Sequence, residues 1–564
     1  MWHDIAQYAV EDSDHNKLDF VADKGVHLAI MGNDVWYPFQ TAIYADKLED
    51  NAATSVSLWS SSIDYQSAAR RPYVFRYTAS ETSGITSDEE NASRYQAHPV
   101  RCISERTAEM ITDLSASQTA NCYMVHKRGY YKFNAMVRGN GVDKLLPLGG
   151  ANMAFLDDNL NSQRPMSGTK KIDILWWQGD LTEVKNEESD IENFMCIEPL
   201  DKSSHGDEGL LDDDGYCKFF VDEFHKGNAI LAAYDEYGEI LWTWHIWLTD
   251  KPDDIRSGNY TLMDRFVGAT YAPEITDATT KIEFTGAEQL ASTYGFYYQW
   301  GRKDPFPGPS VDLVRTSMST SAASACRPSQ PTSSYWWSKD YATGGWTKHD
   351  EIDTGAAAWI SDVVKTPTVF RKSPHGSVKN QEWFGGAADT EWYPAQYADG
   401  YTNVALWGYA VANYELGSSF NKTMHDPCPP GYRTPWYFLW RNVDNGKNYS
   451  NQNGGDVECL ADREEWSYSD YGMVTTLDTF DKAWFPYTGE RSCEGGTVCL
   501  VGGANSWKDT RYGRWWTGTP MGSYNTRSFY YLSGKFTGQM ATSDNPDGNG
   551  LSMSYGLSVR CQKE

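Results

Sequence analysis

Two distant parts of this 564-residue chain repeat the same series of four short motifs. Each series begins with an aromatic motif that contains Pro, continues with two aromatic runs typical of strands, and closes on Val-Arg-Cys. The first series comprises residues 36–39, 58–62, 73–77 and 100–102, and the second comprises residues 484–487, 515–519, 529–533 and 559–561. Because order and approximate spacing are both kept, the pattern indicates two copies of one structural unit.

The two copies differ in what precedes them. In the second copy the series is the last third of a longer unit, whereas the first copy has no such upstream part. We therefore expect residues 1–106 to be the C-terminal part of a domain whose beginning lies outside this chain. That expectation would also explain why no signal peptide is visible at Met1.

Residues 107–255 form a different region, with alternating or apolar runs separated by Gly, Asn and Asp turns. This pattern predicts a β-sandwich. A polar linker, residues 251–258, would lead into a last domain of residues 256–564, which carries a long insert at 305–425. The predicted class is α+β and mostly β. The strand-like runs lie at residues 130–133, 172–177, 217–221, 229–233 and 240–248.

The charge of the chain restricts its partners. Lys and Arg total 49 against 76 Asp and Glu, a formal net charge of −27. Phosphates would be repelled, so the charge argues against nucleic acid and anionic membrane surfaces as partners. It leaves neutral ligands, basic proteins and divalent cations open. No window approaches 18 apolar residues, so we expect no membrane insertion.

Four motifs of the last domain carry a family resemblance. They lie at residues 260–270, 294–307, 426–435 and 556–561. Together they resemble the C-type-lectin-like domain of the major paralogous domain family, found at the C-termini of fimbrial tip proteins of gut Bacteroidetes. The motifs at 121–123, 227–229 and 241–247 are similar to the β-domain that precedes it there. The resemblance covers roughly residues 120–564 and, through the repeat, extends to the start.

The resemblance implies an extracellular adhesin or pilus-tip protein on the outer cell surface. Its partners would be a host or microbial glycan or protein ligand, and pilus subunits. It implies neither catalytic activity nor a cofactor. Some related variable proteins are diversified by retroelements. The alternatives are a carbohydrate-active enzyme or accessory module, and a structural pilus or stalk subunit.

The resemblance also implies that the closing strand at Val559–Cys561 pairs with the first strand of its domain. Thr434 and Pro435 are residue types that favour a helix start, which predicts a helix over 436–441.

The ten Cys residues contain no C-x2-C pair, which argues against a zinc ribbon. In an exported protein we expect Cys428 to pair with Cys561, and Cys493 to close a short loop with Cys499. By analogy with Cys561, Cys102 would form a disulfide with a partner upstream of Met1. Buried thiols are the alternative for all of them.

The sequence predicts no metal site and no catalytic residues. The calcium-site motifs of sugar-binding C-type lectins, Glu-Pro-Asn or Gln-Pro-Asp and Trp-Asn-Asp, do not occur. The Asp clusters at 212–214 and at Asp544 and Asp547 are interpreted as solvated turns rather than calcium ligands. No H-E-x-x-H, G-x-S-x-G or phosphate loop occurs. His245 is interpreted as a hydrogen-bonded core histidine.

A ligand would bind, on this interpretation, to the face formed by residues 503–527. Rigid aromatics, Arg and short polar groups are interleaved there, a combination that suits recognition. Adjacent strand residues face opposite ways, so we expect Trp516 inward and Trp515 outward. The insert at 305–425 would supply a second part of the binding face or only stabilise the fold. The predicted ligand-binding residues are Asn505, Trp507, Asp509, Arg511, Tyr512, Arg514, Trp515, Ser523, Tyr524 and Asn525.

Overall fold

The computed structural model describes backbone and side chains over much of the C-terminal four-fifths of the chain. Elsewhere it describes the backbone of individual strands. Side chains are described at residues 111–139, 166–181, 197–199, 209–221, 224–257, 260–275, 282–318, 336–349, 351–358, 360–372, 406–407, 422–435, 471–472, 474, 481–493, 495–500, 513–518 and 553–564.

The described residues are mostly β, as the sequence predicted. The chain divides into two compact units, residues 1–111 and 112–564. Among the described residues no helix is long and apolar enough to cross a membrane.

Three three-stranded antiparallel sheets are described in the first unit. The first contains Phe20–Val21, Gly25–Ile30 and Asn33–Pro38; the second Lys47–Leu48, Ile43–Tyr44 and Gln96–Ala97; the third Ser55–Ile63, Pro72–Ser80 and Gly84–Asn91.

The repeat found in the sequence recurs as backbone pairing. In the first unit, strand Ser55–Ile63 pairs antiparallel with Pro72–Ser80, and the register shifts after Trp59. In the second unit, Tyr512–Met521 pairs antiparallel with Asn525–Leu532, and the register shifts after Trp516. The irregularity follows a Trp at the same place in each series. The two copies thus share a local strand arrangement as well as a motif order.

A six-stranded sheet forms the centre of the second unit. Among the described strand pairings of this sheet, Cys122–Val125 with Ile240–Leu248, at one edge, is parallel. The other pairings are antiparallel. Strand Ile240–Leu248 is apolar nearly throughout and almost fully buried, as expected for a strand covered on both faces. In spatial order the strands are Cys122–Val125, Ile240–Leu248, Gly227–Tyr234, Lys171–Gly179, Trp336–Lys339 and Trp346–His349.

A four-stranded sheet packs against this central sheet. Alternate residues of Gly129–Asn134 are buried, so one face of that strand points into the core. On that face, Phe133 lies 4.7 Å from the ring of Tyr123 and 5.1 Å from that of Trp244, centroid to centroid. The four strands are, in order, Thr112–Asp113, Gly129–Asn134, Tyr216–Val221 and Ile197–Pro199.

The insert contributes directly to the central sheet. Strand Lys171–Gly179 pairs antiparallel with Trp336–Lys339, with Trp177 opposite Trp337. The predicted regions 107–255 and 256–564 therefore share one sheet, and the boundary predicted at residue 255 does not separate their cores.

The last residues of the chain close the second unit. Strand Tyr260–Met263 pairs antiparallel with Gln562–Lys563, and the Met263 amide donates to the Cys561 carbonyl at 3.1 Å. The end of the chain pairs with this first strand as expected, but the pairing strand is Gln562–Lys563 rather than Val559–Cys561. The sheet is completed by Asp254–Ser257 on one side and Tyr432–Arg433 on the other.

The remaining elements are short. The helices are α1, Ala287–Ala291; α2, Val311–Met318; and α3, Ile360–Lys365. The other strands are Val137–Arg138, Arg164–Pro165, Tyr298–Gln299, Thr354–Ala356, Phe370–Lys372, Tyr449–Ser450, Asp456–Val457, Trp466–Ser469, Gly472–Leu477, Asp481–Pro486, Glu490–Arg491, Val498–Cys499, Tyr512–Met521, Asn525–Leu532, Lys535–Ala541, Leu551–Ser552 and Gly556–Leu557.

One of the two expected disulfides forms and the other does not. Cys428 is bonded to Cys561 across 133 residues of sequence. The expected Cys493–Cys499 bond is wrong: Cys493 is a buried thiol, whereas Cys499 belongs to another disulfide. Strands Glu490–Arg491 and Val498–Cys499 pair antiparallel, and the turn between them contains Cys493. In this pairing Cys499 lies opposite Glu490. Because Cys499 is already aligned with Glu490, Cys493 is not its cross-strand partner. Cys102 and the predicted helix at 436–441 lie outside the described residues.

A buried carboxylate organises the loop before Cys428. Asp426 accepts hydrogen bonds from the amides of Cys428 and Thr434, at 2.8 and 3.0 Å, and from the Thr434 hydroxyl at 3.1 Å. Burial raises the pKa of Asp426 to about 6, and the nearby Lys422 ammonium opposes that shift. The loop is thus held by a group whose charge is costly in the folded state.

We predict that Cys428→Ala, Cys561→Ala and the double variant lose the same stability, about 3 to 5 kcal/mol in unfolding free energy, because each abolishes one long covalent loop. Denaturant titration of the three variants measures this. Additive losses in the double variant would contradict the bond.

We also predict a pH signature for Asp426. Its folded pKa lies above its ordinary value of 3.8, so the folded state holds the proton more tightly and gains stability as pH falls through about 6. Relative to Asp426→Asn, the wild-type protein should gain on the order of 2 to 3 kcal/mol between about pH 7 and about pH 4. Paired urea titrations test this, and a difference that stays constant with pH would refute it.

Candidate functional site

The predicted ligand-binding face lies largely outside the described residues. This applies to Asn505, Trp507, Asp509, Arg511, Ser523 and Tyr524. For Tyr512 and Asn525 only the backbone is described, at the first positions of strands Tyr512–Met521 and Asn525–Leu532.

Two of the predicted ligand-binding residues, Arg514 and Trp515, have described side chains, and both are buried. Trp515, expected outward, is 0% exposed and stacks on Phe485 at 5.1 Å between ring centroids. Trp516, expected inward, is also 0% exposed and donates to the Tyr298 carbonyl. The prediction for Trp515 is wrong because both faces of this strand segment are covered. Arg514 is 3% exposed and forms an ion pair with Glu490.

His245 is a core histidine, as interpreted from the sequence. Its Nε2 lies 2.8 Å from the Asn228 side-chain oxygen, and its Nδ1 lies 3.5 Å from the Cys122 sulfur. Burial lowers the pKa of His245 to about 3 and raises that of the Cys122 thiol well above its usual range. A neutral imidazole beside a protonated, fully buried thiol is not a nucleophilic pair.

The Asp212–Asp214 turn has a cation of its own. The Lys218 ammonium lies 2.5 Å from Asp212 and 2.7 Å from Asp214. Within the described part of the chain, no group of three or more His, Cys, Asp or Glu side chains is placed to hold a metal ion. Asp544 and Asp547 lie outside the described residues.

The charged residues of the 294–307 motif serve the core. Arg302, Lys303 and Asp304 are each at most 4% exposed. Lys303 bonds to Asp304 and lies 4.3 Å from the centroid of the Trp242 ring. This buried cluster is closed to a ligand.

An open cleft of about 810 Å³ lies beside the hairpin that the insert adds to the central sheet. Its floor includes two cross-strand pairs, Trp336 with His349 and Ser338 with Thr347. Helix α3 and the segment that follows it form one wall. The cleft is lined by Leu175, Tyr234, Gly238, Glu239, Ile240, Trp336, Ser338, Lys339, Asp340, Tyr341, Thr347, His349, Asp353, Ala358, Asp362, Lys365, Thr366, Thr368 and Arg371.

Polar contacts fix the floor of the cleft. The rings of Trp336 and His349 stack with centroids 4.3 Å apart and planes 18° from parallel. The Ser338 hydroxyl lies 2.6 Å from His349 Nε2. Lys339 bonds to Asp173 at 2.7 Å, so its ammonium is held in place.

Two Asp-capped turns meet at the rim. The Asp235 carboxylate accepts from the amides of Tyr237 and Glu239, each at 2.8 Å. Asp340 accepts from the amides of Ala342 and Thr343 and from the Thr343 hydroxyl. These hydrogen bonds lower the pKa of Asp340, the Thr343 hydroxyl contributing most. Such turns hold their backbones in one conformation.

The turns present aromatic side chains. Tyr237 is 81% exposed and Tyr341 is 37% exposed. Tyr341 packs on Tyr234 at 4.6 Å between centroids, and the Lys171 ammonium lies 5.0 Å from the centroid of the Tyr341 ring. Gly238 has φ +80°, and a Cβ there would come within 2.8 Å of Tyr341. The turn therefore requires glycine for two reasons, conformation and close approach.

Sequence reasoning did not identify this cleft. It placed Trp336 and Trp337 in an insert that would supply a second part of the binding face or only stabilise the fold, and it did not single out Tyr237 or Tyr341. The available signal was Asp-x-Tyr-Gly at 235–238 and the Asp340-Tyr341 pair, turn sequences that carry an aromatic residue.

Comparison of the chain with protein-family models, with curated proteins and with solved structures gives no match.

We predict that Trp515→Ala lowers the unfolding free energy by about 3 to 5 kcal/mol, because the ring is fully buried. Tyr237→Ala, at an exposed turn, should change it by less than about 0.5 kcal/mol. Denaturant titration measures both. A Trp515→Ala protein of wild-type stability would restore the interpretation of Trp515 as a surface residue.

Proposed function

We propose that this protein is a cell-surface adhesin or pilus-tip protein that binds a glycan or protein ligand. Its second unit would combine a β-sandwich with a C-type-lectin-like region. The observation that carries the proposal is the open cleft, a concave surface that joins aromatic side chains to fixed polar groups. Clefts of about 300–1,000 Å³ with this mixture are typical ligand sites.

The fold supports the proposal in a second way. Pairing of the closing strand with Tyr260–Met263 brings the two ends of the region together, as lectin-like folds do. The Cys428–Cys561 bond and the disulfide at Cys499 favour an oxidising compartment. Both features are consistent with an extracellular protein.

The cleft favours recognition over catalysis. The Glu239 carboxylate binds Lys365 at 2.8 Å, and Asp340 is occupied by its own turn. The carboxyl whose pKa burial raises, Asp426, is fully buried in the loop before Cys428. Asp426 therefore does not contribute to the cleft.

A carbohydrate-active enzyme is the second candidate, because four carboxylates line the cleft: Glu239, Asp340, Asp353 and Asp362. Hydrolysis by a pair of carboxylates is the activity that this arrangement would support.

We predict that the 564-residue chain binds glycans or host proteins on an array, and that binding survives EDTA. Incubation with each ligand, followed by mass spectrometry, should recover the ligand intact. Cleaved ligand would favour the enzyme instead, and failure to bind any glycan or protein would favour the structural pilus or stalk subunit.

The late face is tested separately with Asn505→Ala/Trp507→Ala, which spares the buried Trp515. Loss of binding in this variant would assign the ligand to residues 503–527. Retained binding would direct attention to the cleft.

A further inference from the structure

We propose that the cleft beside strands Trp336–Lys339 and Trp346–His349 binds an uncharged oligosaccharide, with Tyr341 as a ring-stacking platform at its rim. This inference rests on the proposed adhesin function and deepens it, because it assigns the ligand class and places the site in the insert rather than at 503–527.

The charge of the cleft argues for a neutral ligand. Its lining holds four carboxylates and three cations, Lys339, Lys365 and Arg371. This near balance differs from the strongly negative chain as a whole. Lys339 forms an ion pair with Asp173, and Lys365 forms one with Glu239. The positive charges of these two residues are therefore already neutralised within the protein. An anionic glycan would also meet the long-range repulsion of the whole chain.

The polar groups suit hydroxyls. The lining offers hydroxyls and carboxylates side by side, including Thr347 and Thr368 together with Asp353 and Asp362. A sugar hydroxyl both donates and accepts, so it can bond to such a mixed set, whereas an apolar ligand would only displace water from these groups.

The rim supplies the apolar half of sugar recognition. Tyr341 is partly exposed and is positioned by its contact with Tyr234 and by the capped turn that begins at Asp340. An aromatic ring held in place offers stacking area at little cost in conformational entropy. Tyr237 lies on the neighbouring turn and is 81% exposed, outside the residues that line the cleft.

The strand Trp346–His349 provides a matched pair of variants. Thr347 and Lys348 are adjacent and both exposed, but Thr347 lines the cleft whereas Lys348 lies over Trp337, outside the cleft lining. Thr347→Trp would place an indole side chain in the cleft. Lys348→Trp would place the same side chain on the opposite face of the strand, over Trp337.

The test is an array of host proteins and of neutral, sialylated and sulfated versions of the same glycans, probed with the 564-residue chain. We expect binding to neutral glycans, lowered at least about tenfold by Thr347→Trp and by Tyr341→Ala, and kept within about twofold by Lys348→Trp. Tyr341→Phe should retain binding, because the ring face is kept. Circular dichroism and thermal unfolding of each variant establish that it is folded.

The outcomes separate the two proposals. Neutral-glycan binding that Thr347→Trp and Lys348→Trp affect equally would overturn the cleft assignment and leave the adhesin function standing. Preference for sialylated or sulfated glycans, or binding of protein ligands alone, would overturn the ligand class. Absence of all binding would count against both proposals.

Discussion

The pairing of Lys171–Gly179 with the insert strand Trp336–Lys339 is the interaction on which the fold and the candidate site both depend. It places Trp177 opposite Trp337 on one face and Trp176 opposite Ser338 on the other, so one register sets both the packing of Trp177 and the floor of the cleft that Trp336 and Ser338 form. A slip of one residue would exchange these faces. Core packing and site geometry are therefore set by the same register.

Polar groups in the interior add specificity to this arrangement. Asn121 accepts from the Trp242 indole and donates to the carbonyls of Met424 and Asp426. One amide side chain thereby ties the central sheet to the loop that carries Cys428. Because each of these groups would be costly if buried without a partner, alternative placements of the loop are disfavoured.

The sequence was most informative where chemistry repeats or is strongly patterned. The five strand-like runs, the Cys428–Cys561 bond and the buried role of His245 were all predicted correctly. Trp515 was not, because period-two alternation identifies opposite faces without saying that one of them meets solvent. The cleft could not be derived, since its lining comes from residues 175 to 371 and strand pairing across such distances leaves no local pattern.

The closure of the second unit has a mechanical consequence. Residues 562–564 are held by strand pairing with Leu262, by an ion pair between Lys563 and Asp254, and by the Glu564 amide on the Gly431 carbonyl. The disulfide links Cys561 to Cys428 and bypasses 133 residues of chain. Tension applied between residue 254 and the last residues would load this small sheet and one covalent bond in shear. Once the sheet gave way, the disulfide would carry the force directly from Cys428 to Cys561, so the chain between these two cysteines would lie outside its path.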